Sequence, residues 1–498
     1  MCQARKSRIV ELAVAIAAVM MPPLSLAAAD DSQDPVTVQW WLTTKDLDQK
    51  LKQQPALEMT PSANPSSAGT NVIVVDERHR FQTILGLGSS LEPSTCFNLW
   101  QLPEEMRAEV LRRLVHPEEG IGINLARICI GTPDFTADAW YSYDDVPAGE
   151  QDLELERFSI EQDRRYILPV LKQALKVNPD LLFFASPWSP PGWMTSTDDM
   201  IGGHLLPEFY DVYARYLVKF IQAYQEEGVP IHAITVQNEP GVDRNGEAPR
   251  WRYPSCRYRG EQERDLIRDH LGPALVKAGL TTQIWCYDHN FNTTATPDGD
   301  DPGLDYPRTI LSDPDAARYV AGVAFHGYAG KPSGMSAFHD DFPRTPLHFT
   351  EGSVFGPRGG LLLIQYLRNW ASSYNGWVTM LTTEGKPNNG PFRASRTCVT
   401  VDPNTEVAYH YDYYQYGHFF RFLQRDGVRV ESEGGDDRLS SVAVHNPGGQ
   451  LALVVVNNDR SSRELSIVHH QRQFSVQLPA QSIATFTWPA SIEPTTPK

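Results

Sequence analysis

Eight short apolar runs recur between residues 81 and 381, and a stretch long enough for a helix follows each. They are FQTILGLGSS (81–90), INLARICIG (123–131), LLFFASP (181–187), IHAITVQ (231–237), TQIWCYD (282–288), VAGVAFH (320–326), PLHFT (346–350) and YNGWVTML (374–381). The runs are continuous rather than alternating, the pattern of strands buried on both faces as in a parallel sheet. Between them lie amphipathic stretches such as 208–228, whose apolar residues return at helical spacing. Eight strand-then-helix units predict an α/β fold, a (β/α)8 TIM barrel. After Gly427 the pattern changes to SVAVHN, LALVVVNN, ELSIVHH, FSVQLP and SIATFTW, short strands separated by turn residues, which predict an antiparallel β-sandwich. The stretch from about Pro35 to Val75 is too short for a domain and is expected to add a strand or two to that sandwich. The reading is therefore 1–29 a leader, 30–78 an N-terminal segment of the sandwich, 79–424 the barrel and 425–498 the rest of the sandwich.

The leader rests on Arg5, Lys6 and Arg8, the apolar run 12–21 and Ala27-Ala28-Ala29, a signal-peptide pattern with cleavage near Asp30. Ten apolar residues are too few to cross a bilayer, so the mature chain is expected to be secreted or periplasmic, without a membrane span. The chain has 498 residues, 44 Lys+Arg against 61 Asp+Glu and a formal charge of -17, which argues against a nucleic-acid partner. Beyond Cys2 the cysteines are Cys96, Cys129, Cys256, Cys286 and Cys398, an odd number without a CxxC pair, which argues against a disulfide framework or zinc site. No GxGxxG follows a strand and no GxxxxGK[ST] occurs, so dinucleotide and phosphate-loop readings lose support.

Barrel active sites lie at the C-terminal ends of the strands. The fourth run ends in Asn238 and Glu239, the seventh in Glu351. Two carboxylates meeting in one cavity are what glycosidic cleavage needs, and this placement favours the close, retaining separation of about 5–5.5 Å. Asp134 follows the second run and could accept hydrogen bonds from sugar hydroxyls. Trp188 and Trp193 offer flat faces to a pyranose. Asp288 ends the fifth run; His326 and Tyr328 end the sixth. Arg127 could hold the Glu351 carboxylate, or form a structural ion pair; Trp193 could equally be core and His289 a solvated loop residue. A metal site of Asp288, His289 and His326 lacks HExxH spacing, and the acidic turn 298–301 lacks the calcium-loop order, so neither metal nor other cofactor is expected.

RICIGTPDF, FASPWSPPGWM, ITVQNEP, YDHN, FHGY, FTEGS and EGKPN, in this order, resemble glycoside hydrolase family 30, the group containing the glucosylceramidases. The resemblance runs from about Phe81 to Phe422 and implies a barrel with a β-sandwich made from both chain ends. It also implies retaining hydrolysis of a β-glycoside, with Glu239 as acid/base and Glu351 as nucleophile. Glu239, protonated first, is then expected to hold its proton more tightly than Glu351. Asp134, Trp188, Asn238, His326, Tyr328 and Trp377 would surround the sugar, supported by Arg127 and Asp288. The chain departs from the family at Gly327, where Trp is frequent, and after Trp377, where Met380 follows instead of a second Trp. Both departures fall where specificity would be set. The expected substrate is a glucoside, glucolipid or β-glucan: glucosylceramidase-like first, endo-β-1,6-glucanase second. A catalytically inactive carbohydrate-binding barrel is the alternative of another class.

Overall fold

The computed structural model describes residues 36–62, 69–248, 251–392 and 396–490. The signal-peptide segment and its cleavage point lie outside the described residues. Each apolar run supplies a strand to one parallel eight-stranded sheet: β1 (Gly86–Ser89), β2 (Leu125–Ile130), β3 (Leu182–Pro187), β4 (Ile231–Thr235), β5 (Gln283–Phe291), β6 (Val320–Gly330), β7 (Leu347–Glu351) and β8 (Ala371–Gly376). Neighbours in sequence pair in order and β8 pairs with β1. The β1–β2 seam closes through Asn124 N to Leu87 O at 3.2 Å and Leu91 N to Arg127 O at 2.9 Å. The approach there is tight: a Cβ at Gly88 would lie 1.9 Å from the Leu125 carbonyl oxygen, so this strand position admits only glycine.

The helices pack their apolar stripe on the outside of the strands. In Tyr210–Glu226, for example, Tyr213, Tyr216, Leu217, Phe220 and Tyr224 are buried. Two of the predicted runs prove to be composite. In 81–90 only Gly86–Ser89 belongs to the barrel, because Phe81–Thr83 ends a sandwich strand. In 374–381 the barrel strand ends at Gly376, and Met380–Thr382 joins a separate three-stranded sheet with Val399–Val401 and Val407–Tyr409.

The sandwich takes more of the N-terminus than the one or two strands expected. Val36–Thr44, Lys52–Gln53, Leu57–Pro61 and Val72–Thr83 join Val428–Gly434, Leu439–His445, Gln450–Asn457, Arg463–His469, Arg472–Leu478 and Ser482–Pro489 in a ten-stranded sheet. Val36–Thr44 pairs with both Ser482–Pro489 and Leu57–Pro61, which folds the sheet back on itself over Val38, Ile73, Leu453, Val455 and Phe486. One pairing is parallel rather than antiparallel, Arg463–His469 against Val72–Thr83. At the joint with the barrel, buried His418 on helix Tyr411–Phe420 hydrogen-bonds Thr485 at 2.8 Å and Thr43 at 2.9 Å. The five cysteines are free and buried. Among the described residues no helix is long and apolar enough to cross a membrane.

Candidate active site

Along each barrel strand alternate residues face the barrel axis. Near the N-terminal ends these inward residues are Leu125, Phe184, Ala233, Trp285 and Ala324, an apolar floor on which His348 stacks against Trp285 at 3.8 Å. One inward step further along, they become Arg127, Ser186, Thr235, His326 and Thr350, all buried. Asp288 joins this polar layer through a break in alternation. Tyr287 and Asp288 have φ of 79° and 52°, and the β5–β6 register slips between Ala324 and Phe325. A second slip, between Phe325 and His326, sets Glu351 opposite His326. Strand β5 also runs on past Asp288 to Phe291 and β6 past Tyr328 to Gly330, rather than ending at those residues.

The layer is one connected ionic network. Arg127 Nη2 donates to Asp288 Oδ2 at 2.7 Å and to Asn238 Oδ1 at 2.8 Å, its Nε to Ser186 Oγ at 3.1 Å, and its Nη1 to Glu351 Oε2. Because Asn238 Oδ1 is taken by Arg127, its amide N–H groups remain as donors. Asp288 also accepts from Thr235 at 2.8 Å and Thr350 at 2.6 Å. His326 Nε2 meets Asp288 Oδ1 at 2.9 Å and its Nδ1 meets Glu239 Oε1 at 3.2 Å. Tyr328 Oη donates to Glu351 Oε1 at 2.7 Å. Glu239 itself sits at φ 48°, a left-handed conformation rare for a residue with a side chain, with its N–H bonded to the Asp288 carbonyl at 3.1 Å.

Burial opposes every charge in this layer, and the pairings decide the outcome. His326 would be driven neutral by burial, but Glu351 and Asp288 raise it to about 10, so it stands as an imidazolium. Asp288, against the same burial, is held well below the carboxylate range by Arg127 and His326. Glu239 is lowered too: burial raises it, but the His326 hydrogen bond and the charges of His289, His326 and Arg127 outweigh that. The neighbours of Glu239 thus pull its carboxyl below the ordinary value although burial alone would raise it, and the histidine hydrogen-bonded to it is raised. Asp134 moves the other way, to about 8, through burial and then the charges of Glu351 and Glu239.

Above the layer opens a cavity of about 590 Å³ lined by Asp134, Trp188, Asn238, Glu239, Tyr328, Glu351 and Trp377. Those seven predicted residues thus meet, with Arg127, Asp288 and His326 beneath them. Trp188 does not present an open face on both sides: Trp377 stacks on it at 5.0 Å and the Arg127 guanidinium lies 4.8 Å from its ring centroid. Trp193 is not part of the site; it packs on Phe209 and donates to the Asp144 carbonyl. His289 is no solvated loop residue. It is buried, lines the cavity and meets the Asp300 carbonyl oxygen at 2.6 Å. Glu239, His289 and His326 bring three ligand atoms within 4.8 Å of one another, but both nitrogens of His326 already face carboxylates. In the acidic turn Asp298 is exposed, whereas Asp301 is buried and accepts from Asn292 at 2.8 Å and the Gly303 amide at 2.9 Å. Sequence reasoning missed Phe135, Arg244, Tyr253, Asn290 and Phe392 in the lining: Arg244, Tyr253 and Phe392 come from stretches without a motif, whereas Phe135 closes RICIGTPDF and Asn290 closes YDHN on β5, beside residues that were named.

The family model "Glycosyl hydrolase family 30 TIM-barrel domain" matches residues 84–358, and "Glycosyl hydrolase family 30 beta sandwich domain" matches 426–486. An endo-1,6-beta-D-glucanase of Neurospora crassa is 33% identical over 80% of this chain and 83% of its own. The lysosomal acid glucosylceramidase of Mus musculus is 28% identical over 92% and 91%. Among solved structures, an endo-beta1,6-glucanase superposes with a TM-score of 0.80 at 28% identity, covering 91% of this chain and 99% of the other. SrfJ of Salmonella typhimurium superposes with a TM-score of 0.82 at 26% identity, covering 91% and 100%.

Proposed function

The chain belongs to glycosyl hydrolase family 30, and from that premise we propose that Glu239 and Glu351 are the catalytic pair by which this retaining glycoside hydrolase cleaves a β-glucosidic bond. The observation that carries the assignment is the division of partners. Arg127 and Tyr328 hold the two oxygens of Glu351, while His326 holds Glu239, and both carboxylates line one cavity with Asp134, Trp188 and Trp377. Arg127 and Tyr328 fix the Glu351 carboxylate for attack on the anomeric carbon, and Trp188 and Trp377 give the sugar's C–H face an apolar wall.

In the first step a Glu351 oxygen bonds to the anomeric carbon as the carbon–oxygen bond to the leaving group breaks. The departing oxygen takes the proton of Glu239. That proton comes from His326 across the Nδ1 to Oε1 hydrogen bond, which joins an imidazolium to the carboxyl that must act as acid. In the second step Glu239 takes a proton from water, whose oxygen displaces Glu351 with net retention, and that proton passes back to His326 to restore the free site. The free amide of Asn238 is placed to donate to the 2-hydroxyl, a bond that strengthens as the ring becomes cationic.

Glu351→Gln is expected to abolish turnover. Glu239→Gln is expected to keep activity on aryl β-glucosides with good leaving groups, which depart without a proton, and to gain rate with added azide. Activity surviving in Glu351→Gln, or an α-anomer as first product by NMR, would overturn the assignment. Sugar binding with no turnover by the unaltered protein would establish the inactive-barrel alternative. For specificity, relatives named as glucosylceramidases and as endo-1,6-glucanases both support a β-glucosyl substrate. Export is part of this reading, supported by the basic start and apolar run of residues 5–21; N-terminal sequencing of the mature protein should begin near Asp30.

A further inference from the structure

Two imidazoles from neighbouring strands flank Glu239, His289 on β5 and His326 on β6; one ring nitrogen of each and one Glu239 oxygen lie within 4.8 Å of one another. Their commitments differ. His326 spends both nitrogens on carboxylates, Asp288 at 2.9 Å and Glu239 at 3.2 Å. His289 gives Nε2 to the Asp300 carbonyl oxygen at 2.6 Å, and a carbonyl only accepts, so that nitrogen carries a proton. Nδ1 of His289 is buried and has no hydrogen-bond partner among the described residues.

The ring is anchored on backbone that packs against the acid/base segment. The Asp300 carbonyl presses on the chain just beyond Glu239, where a Cβ at Gly241 would lie 2.3 Å from its oxygen. Arg257 ties the two together, its Nε donating to the Gly241 carbonyl at 3.0 Å and its Nη2 to Asp300 Oδ1 at 3.4 Å. Glu239, at φ 48°, starts the same segment. Turning the ring to find Nδ1 a partner elsewhere would cost the Asp300 bond. With Nε2 so committed, Nδ1 is the nitrogen left to serve Glu239, and a buried nitrogen with an unmet bond calls for an explanation.

A lone pair on Nδ1 and a carboxylate have nothing to offer each other, since both accept. One proton between them changes this: on Nδ1 it is donated to the carboxylate, on Glu239 it is donated to Nδ1. We propose that His289 is a second positioning residue for the acid/base, its Nδ1 sharing one proton with the Glu239 carboxyl in a hydrogen bond that fixes the plane of that carboxyl against the leaving oxygen. The inference rests on the catalytic assignment above. The shared proton stays within the pair through turnover, because the one given to the leaving oxygen comes from His326. The bond is not made in the free site; catalytic hydrogen bonds are often long there and shorten when substrate is in place.

The test uses the full-length enzyme and two substrates that differ in their need for an acid: phenyl β-glucoside, whose leaving oxygen must be protonated, and 2,4-dinitrophenyl β-glucoside, whose leaving group departs without a proton. His289→Gln keeps a donor for the Asp300 carbonyl but removes the nitrogen that serves Glu239. It should lower the ratio of kcat/KM for the phenyl to that for the dinitrophenyl glucoside by about tenfold, part of what a general acid contributes. In a Glu239→Gln background the same substitution should leave the ratio where Glu239→Gln alone puts it, because no acid is left to position. An unchanged ratio in the single variant, whether both substrates lose rate together or neither does, would mark His289 as structural and overturn the proposal. A further fall of the ratio in the double variant would overturn it too, since His289 would then act without Glu239. Absence of turnover of either glucoside by the unaltered enzyme would instead reject the catalytic assignment.

Discussion

Two layers of the same barrel interior, one inward step apart on the same strands, have opposite chemistry. The floor of Leu125, Phe184, Ala233, Trp285 and Ala324 is buried and apolar, and the layer above it, from Arg127 to Thr350, is ionic yet equally buried. A buried histidine stands in each. His348, stacked on Trp285, is pushed down to about 3 by burial and the nearby His232, and stays neutral. His326, between Asp288, Glu239 and Glu351, is raised to about 10 and stays charged. Burial is common to both, so the neighbours alone set the sign. The floor contributes stability through area removed from water, whereas the layer above holds charges that would be costly singly and are tolerable only as a connected set.

Breaking the set should have the largest effect. Arg127→Met leaves the buried carboxylates Asp288 and Glu351 with only His326 to balance them, and is expected to cost about 3–5 kcal/mol in denaturant unfolding together with nearly all activity. Trp285→Ala in the floor is expected to cost a similar or slightly smaller amount, about 3–5 kcal/mol, through the cavity it leaves. Its activity at low temperature should fall far less than that of Arg127→Met, and equal losses would erase the distinction between the layers.

Thr350→Val removes one hydrogen bond, of 2.6 Å, to Asp288 Oδ1 and keeps the shape; the expected cost is about 1.5–3 kcal/mol by the same measurement. The smallest effects separate the two histidines by pH. His348 has its folded-state value below the unfolded one near 6.5, so its contribution is lost as pH falls from about 6.5 toward 3. His326 has its folded value above the unfolded one, so its contribution is complete below about 6.5 and is lost as pH rises toward 10. Each slope is at most about 1.4 kcal/mol per pH unit. Melting temperature against pH should flatten on the acid side in His348→Gln and on the alkaline side in His326→Gln; the reverse pattern would refute the assignment of charge.

The elements themselves were legible because burial on both faces leaves a continuous apolar signature, and because strand ends at the barrel mouth are read by position. That is why Asn238, Glu239 and Glu351 could be named from the runs that precede them. Trp188 and Trp193, five residues apart in ASPWSPPGWM, look alike as sequence, yet one lines the cavity and the other packs on Phe209. Which side of a turn a tryptophan falls on is not a local property.

The sequence alone determined the barrel, the sandwich built from both chain ends, and the two carboxylates that line one cavity. Tertiary structure decided what strict alternation would have misplaced. The positive φ at Tyr287 and Asp288 and the slips beside Ala324 and Phe325 turn Asp288 inward and set Glu351 against His326. It also decided the charge of His326, which depends on carboxylates brought in from β5 and β7 and from the segment after β4. Residues 25 to 87 positions apart in the chain set that charge, and no local pattern records a field made by such distant neighbours.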